Sequence, residues 1–327
     1  GQLPVWELAG NYTGCMIGYH SVPVILDAKE WGIEGWDDSL ALEAMVQAAD
    51  SMHLGLDTYV EWGYIPSDSE HESVSKTLEY AFDDACIARY AAHMGDDATQ
   101  RRFQIRANAW KNLTNPQTGF VQPKRQGAWF EGFDPKEVNF HFTEANAWQY
   151  HFAPVHDIEG QIAILGGDEG YLHRLSSLFD ETSETTGRVQ PDITGLIGQY
   201  AHGNEPSHHV AYLATFAGAP HLTSERVAKI RSEMYRNAPD GLCGNEDCGQ
   251  MSAWYVWSAL GMYPVTPGSG ELVIGTPLFT KALIQPEGSE GTTEILAPEL
   301  SKDAIYVDGI RFSDKPHSNP PLERRSY

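Results

Sequence analysis

Between Asp38 and Gly261 the sequence alternates helical runs with long aromatic loops, and no stretch before Glu271 reads as paired strands. Asp38 to Met52 places Leu40, Leu42, Met45, Val46 and Ala49 on one face of a helix. Ser73 to His93 reads as a long helix stopped at Gly95, and Asp96 to Leu113 as another closed by the turn at Asn115 to Gly119. Further helical runs are expected at Glu144 to Tyr150, Ile158 to Leu165, Glu169 to Phe179, His208 to Ala217, Ser224 to Met234 and Gly249 to Gly261. About nine helices follow from this spacing. After Gly270 the texture changes, and Leu272 to Ile274, Lys281 to Ile284, Thr292 to Leu296 and Ala304 to Val307 read as short strands. The expectation is a mainly α fold: residues 1–270 a helical toroid whose loop ends form a cleft, and 271–327 a small β appendage packed on it. No fixed period supports a helical repeat array.

At 327 residues the chain can bury one large core or two smaller ones. Its 22 basic against 45 acidic residues give a formal charge of -23. Such a field repels phosphate backbones and anionic headgroups, which argues against nucleic-acid and membrane-surface partners and suits a cation or a neutral, hydroxyl-rich ligand. No apolar run approaches the roughly 20 residues of a membrane-spanning helix. Cys15, Cys86, Cys243 and Cys248 are too few and too isolated for a zinc cage and read as structural thiols. Asn11-Tyr12-Thr13 and Asn112-Leu113-Thr114 match the glycosylation sequon, a pattern short enough to arise by chance.

Three polar stretches carry candidate chemistry. His202-Gly203-Asn204-Glu205-Pro206-Ser207-His208-His209 gathers a carboxylate, an amide and three imidazoles in a turn, with Ser207 placed to cap a helix from His208. Phe140 to Tyr150 sets Thr143 as a cap for a helix whose first turn presents Glu144 and Asn146. Gly241 to Gln250 is a glycine-bounded acidic loop. Acids near helix starts are common for dipole reasons alone; three such sites in one chain shift the balance toward function.

Cleaving a glycosidic bond takes one protonated and one ionised carboxyl group, separated by environment. Glu144 sits among Phe140, Phe142, Ala145, Ala147 and Trp148, where desolvation suits a general acid. Asp247, in an open loop, suits a base that activates water, and Glu205 among histidines suits a charged ligand. Trp6, Trp148, Trp254 and Tyr64 are candidates to stack on a sugar face. Asn204, Glu205, Asn245 and Glu246 offer oxygen donors, which fit calcium better than zinc. Neither a phosphate-cradling loop nor a nucleophile elbow is present.

Leu3 to Asn11, Ser73 to Tyr80, Thr143 to Tyr150, Gln199 to His209 and Gly244 to Tyr255 together resemble the signature stretches of family 92 glycoside hydrolases, calcium-dependent inverting exo-α-mannosidases. The likeness runs from Gly1 to about Phe279. It implies an (α/α)6 catalytic domain, here partial and lacking its first helices, preceded in the family by an N-terminal β-sandwich that this chain lacks. Pro316 to Tyr327 departs from the family's usual finish. By the same resemblance Glu144 is the general acid and Asp247 the general base. Asn146, Trp148, Asn204, Glu205, His208, His209 and Trp6 fall at the substrate, and Glu205, Asn204 and Asn245 at the calcium ion. Asn245 stands where some members carry a second Asp before the base, and a glutamate at 144 points to ordinary mannosides over mannose phosphodiesters.

The function so implied is removal of terminal non-reducing α-mannose from mannosides or glycoprotein N-glycans, with calcium gripping the vicinal O2 and O3 hydroxyls. An extracellular or periplasmic location and a β-sandwich partner follow from the resemblance. Two other readings stay open: another (α/α)6 glycosidase such as an α-glucosidase, and a non-catalytic glycan-binding remnant.

Overall fold

The computed structural model describes residues 3–285 and 291–311. The chain divides into two compact units. The first comprises Gly1–Leu165, Thr182–Pro191 and Thr266–Gly270; the second comprises Gly166–Glu181, Asp192–Val265 and Glu271–Tyr327.

In the first unit the helices are α1 (Ser21–Glu30), α2 (Asp38–Ala49), α3 (Leu56–Trp62), α4 (Ser73–His93), α5 (Asp97–Arg106), α6 (Ala147–Tyr150) and α7 (Ile158–Ile164), with a 3-10 turn at Ala109–Leu113. α4 is the axis around which the unit packs. It buries Val74, Leu78, Ala81, Ile87 and Ala91, and it ends where Gly95 turns left-handed at φ 71°. Asp96 then accepts from the backbone N–H of Thr99 and caps α5.

α4 also buries two adjacent carboxylates. Asp84 is fully enclosed and accepts from Tyr19 Oη at 2.6 Å, Tyr59 Oη at 2.8 Å and Arg106 Nε at 2.8 Å. Burial pushes its pKa up to about 6, against the Arg106 charge and the donated hydrogen bonds.

The second unit holds α8 (Asp168–Asp180), α9 (Pro220–Met234) and α10 (Gln250–Leu260), with 3-10 segments at Glu205–Ser207 and Val210–Ala217. Tyr171, Leu175 and Leu178 of α8, Val227 and Ile230 of α9, and Met251 and Trp254 of α10 are buried with the almost wholly enclosed Val210–Ala217 run. Arg231 ties this unit together: its Nη1 donates to the carbonyls of Ser258 and Thr276, each at 2.6 Å.

Several expectations change. Helix α1, which was not expected, starts at Ser21 with Pro23 in its first turn, where a missing N–H costs no helical bond. α3, framed by Gly55 and Gly63, was not expected either. In α2 Met45 and Ala49 face the core, whereas Leu40 is exposed. Two-residue ladders do occur before Glu271: Glu7–Leu8 with Asn11–Tyr12, Lys124–Arg125 with Ala128–Trp129, Leu196–Ile197 with Tyr200–Ala201, and a parallel pair of Glu137–Val138 with Thr186–Gly187. Each is too short for a period-2 pattern to show. Lys281–Ile284 and Thr293–Leu296, both expected as strands, pair antiparallel, and Val273–Ile274 pairs with Met262–Tyr263. Ala304 to Val307 forms no ladder; Tyr306 instead donates to Glu225 at 2.7 Å. Pro316 to Tyr327 lie outside the described residues.

Candidate active site

The Glu144 turn is stitched to the start of α4. Glu72 N–H donates to the Phe140 carbonyl, Val74 N–H to the His141 carbonyl, and Thr143 N–H to Ser75 Oγ at 2.9 Å. Thr143 is therefore not the helix cap. That role belongs to Asn146, whose Oδ1 accepts from Trp148 N–H and Gln149 N–H while Gln149 Oε1 accepts from Asn146 N–H, a reciprocal capping box. Starting α6 at Ala147 leaves Glu144 outside the helix, half-buried, at φ 53°. A non-glycine residue there carries about 1 to 3 kcal/mol of backbone strain.

In the second unit the structure brings two of the three sequence motifs together. Gly244 lies so close to Gly203 that a Cβ on it would meet the Gly203 carbonyl oxygen at 2.5 Å, and a Cβ on Gly195 would meet Cys243 Sγ at 2.5 Å. Only glycine permits backbone to meet backbone at this distance. Trp254 Nε1 donates to the His208 carbonyl at 2.9 Å, and Gln250 Nε2 donates to His208 Nδ1 at 3.1 Å. The turn holding Glu205 and the loop holding Asp247 thus form one assembly.

Asp247 and Cys248, at φ 52° and 54°, are followed by Gly249 at φ 107°. Three successive left-handed residues reverse the chain into α10. Glu246 pins that reversal: its carboxylate accepts from Ser252 Oγ at 2.7 Å and from Gly249 N–H at 2.6 Å. The Ser252 hydroxyl, with the Gly249 and Ser252 amides, holds its pKa below the usual value. Glu246, a candidate cation donor by sequence, is committed to the helix start instead.

Behind the Glu205 turn lies an aromatic cage. His202 stands between Tyr200 Oη and Tyr235 Oη, each at 2.7 Å, and Tyr235 Oη donates to the Met251 carbonyl. Because that hydroxyl spends its proton on Met251, His202 Nε2 carries the hydrogen and Nδ1 accepts from Tyr200. His208 Nε2 faces the His202 carbonyl at 2.9 Å and also carries its hydrogen. Burial lowers the pKa of His202 to about 2 and of His208 to about 4, so both stay neutral at neutral pH.

The expected site residues separate by burial. Glu144, Asp247, Asn204, Glu205 and His209 are half-buried on turns, and Asn245 is exposed. His208 is enclosed, with both ring nitrogens bonded inside the protein, and Asn146 is fully buried as a cap. Ser207 caps nothing: its Oγ accepts from Ala201 N–H, and 3-10 turns replace the helix expected from His208. Trp254 is fully buried and spends its indole N–H on His208, so it cannot stack on a sugar. Trp148 is also largely enclosed, edge-on to Phe120 at 4.7 Å, and Tyr64 is buried. Trp6 is half-buried, its carbonyl accepting from Thr13. Glu246, Gln250, Tyr200 and Tyr235 are supports that sequence reasoning did not assign; only the Glu-to-Gly249 spacing at a helix start hinted at the first.

For a cation, donor chemistry decides. Among the described residues no group of three or more His, Cys, Asp and Glu side chains is arranged to hold a metal. The nitrogens of His202 and His208 are occupied, so these two are no zinc ligands. Asn245 Nδ2 donates to Asp192 Oδ1 at 3.1 Å. An amide oxygen there, with Asn204 and Glu205 on the joined turn, fits a hard cation such as calcium.

Each unit carries an acid on a left-handed turn, Glu144 in the first and Asp247 in the second. The chain belongs to glycosyl hydrolase family 92, whose catalytic-domain model matches residues 1–326. It is 38% identical to a family-92 α-mannosidase from Bacteroides thetaiotaomicron solved in complex with mannoimidazole, with a TM-score of 0.84 over 90% of this chain and 40% of that one. A family-92 inverting mannosidase from the same organism is 35% identical, with a TM-score of 0.82 over 93% of this chain and 44% of that one. A protein of Arthroderma benhamiae described as an uncharacterized secreted glycosidase is 27% identical over 92% of this chain and 42% of its own length. The chain spans less than half the length of these relatives. No helix among the described residues is long and apolar enough to cross a membrane.

Proposed function

We propose that this chain carries the catalytic groups of an inverting exo-α-mannosidase acting on terminal α-mannose of oligosaccharides or glycoprotein glycans outside the cytoplasm. The observation that carries the reading is the pair of acids at φ 53° and 52°: in a family-92 chain, Glu144 and Asp247 are each held in a conformation that costs energy, on the turn just before a helix. Membership of the family and two mannosidase relatives support mannose as the sugar. The helical pairs of each unit are read as parts of an (α/α)6 toroid.

In this reading Glu144 gives its proton to the glycosidic oxygen as the bond to the anomeric carbon breaks. Asp247 takes a proton from the water that attacks the opposite face, and the configuration inverts. Glu246 and Ser252 keep the Asp247 loop from collapsing onto α10. Asn204, Glu205 and Asn245 would hold calcium, which when bound supplies a grip on the O2 and O3 hydroxyls. His208 and Gln250 hold the Glu205 turn in place, and His209 and Trp6 line the sugar. The test is hydrolysis of a defined α-mannobiose by the full-length protein, with the anomer followed by NMR. Initial release of β-mannose supports the reading; initial α-mannose, or turnover of α-glucosides only, refutes it.

A further inference from the structure

Besides the Thr143 bond to Ser75, the Glu144 turn is tied to the charges of α4 through Tyr150. Tyr150, the last residue of α6, donates its hydroxyl to Glu79 Oε1 at 2.8 Å. The other oxygen of Glu79 lies 2.9 Å from His20 Nε2, and His20 Nδ1 lies 2.7 Å from Asp83 Oδ1. An ionised carboxylate only accepts, so a ring that faces one at each nitrogen carries a hydrogen on both. His20 is therefore an imidazolium. Burial opposes that charge, but Asp83 and Glu79 overcome it and raise the pKa well above the usual histidine value. Asp83 in turn is gripped from behind by Tyr19 N–H at 2.7 Å.

Each link has its direction set by the one before it. With the imidazolium on one oxygen, Glu79 is an acceptor on the other, and the Tyr150 hydroxyl must donate. Tyr150 closes a helix of only four residues, which begins three positions after Glu144. So short a helix has almost no stability of its own. It is held at its start by the Asn146–Gln149 box and at its end by Glu79.

We propose that His20 and Glu79 are positioning residues for Glu144. Their ion pair anchors Tyr150, Tyr150 anchors α6, and α6 holds the left-handed turn that aims the Glu144 carboxyl. The proposal rests on the reading of Glu144 as the general acid.

The experiment uses the full chain and two mannosides. Methyl α-mannoside has a leaving group that must be protonated; 2,4-dinitrophenyl α-mannoside has one that departs unaided. Tyr150→Phe, which removes one hydroxyl, and Glu79→Ala are expected to lower kcat on the methyl glycoside by about 10- to 100-fold. KM should stay within about twofold, and turnover of the dinitrophenyl substrate should be nearly unchanged. His20→Gln, which keeps a donor toward Glu79, should recover most of what His20→Ala loses. An equal loss on both substrates, or no loss from Tyr150→Phe, overturns the proposal. Glu144→Gln separates the two layers. If it splits the substrates and Tyr150→Phe does not, positioning fails and the acid stands; if it leaves both turnovers intact, the acid assignment fails and the proposal falls with it.

Discussion

Ser252 and Glu246, six residues apart across the start of α10, are joined by a hydroxyl-to-carboxylate bond of 2.7 Å that closes the loop carrying Asp247. Removing it frees the left-handed residues Asp247 and Cys248 to relax toward ordinary conformations. Ser252→Ala should lower kcat about 3- to 10-fold, with only a small loss of stability, as expected for one exposed hydrogen bond. Steady-state kinetics beside thermal melts checks this, and an unchanged kcat would detach Asp247 from the turnover step.

The two carboxylates should fail in different ways. Glu144→Gln should cost about 10²- to 10⁴-fold on substrates with poor leaving groups and much less on activated aryl mannosides. Asp247→Asn should lower turnover of both, because the water must be activated whatever departs. A series of aryl mannosides of graded leaving-group pKa reads the difference as a slope, steep for the first variant and unaltered for the second.

Acid should loosen the second unit through its buried imidazoles. His202 and His208 have folded pKa values of about 2 and about 4, both below the ordinary 6.5. The unfolded chain therefore binds more protons below pH 6.5, and unfolding becomes easier as pH falls. The stability tied to their neutral state is complete above pH 6.5 and is lost progressively from there toward about 4 for His208 and about 2 for His202. His208→Gln, which retains an amide donor toward the His202 carbonyl, should flatten the melting temperature between pH 6.5 and 4 relative to the parent chain.

Asp84 gives the opposite sign. Its folded pKa of about 6 exceeds the ordinary aspartate value of 3.8, so the native state holds the extra proton and this group's contribution falls as pH rises between the two. Deleting the side chain is nonetheless costly. Asp84→Ala takes the carboxylate away from Arg106 Nε and from the Tyr19 and Tyr59 hydroxyls, which keep Asp50 and the Ala49, Tyr80 and Arg106 carbonyls as other acceptors, and should destabilise by about 1 to 3 kcal/mol. Denaturant unfolding of the two chains measures it.

Chelation should abolish turnover, and calcium but not zinc should restore it. Glu205→Gln should raise the calcium concentration needed for half-activity by at least about tenfold, since a carboxylate contributes charge that an amide lacks. Titration of the chelated protein with each ion, followed by activity and by calorimetry, gives both numbers. Activity indifferent to chelator would remove calcium from the site.

What the sequence made legible depended on how local the cause was. α4 runs from Ser73 to His93 as its periodicity and the stop at Gly95 indicate, because a buried 21-residue helix writes its pattern over several turns. α1 was hidden by Pro23, which reads as a breaker until its position in the first turn is known. The Asn146-x-x-Gln149 spacing of a capping box was present in the text, yet Thr143 three residues earlier looked equally able to cap, and only the bond from Thr143 N–H to Ser75 Oγ separates them. Trp254 was misjudged for a tertiary reason. An indole on a helix face can meet sugar or core, and the cage that encloses it brings His202 and His208 from segments more than 40 residues away. The family stretches named the polar turns, but the division between side chains that work and side chains that hold them came from burial.

Gly203 and Gly244 have a further consequence for how this protein tolerates change. Neither backbone has room for a methyl group: a Cβ on Gly203 would strike Thr194 Oγ1, and one on Gly244 would strike Gly203 itself at 2.5 Å. A single alanine at either position would push on the Glu205 turn and the Asp247 loop together. Under random mutagenesis the two loops would behave as one genetic target, intolerant at two positions that carry no side chain at all.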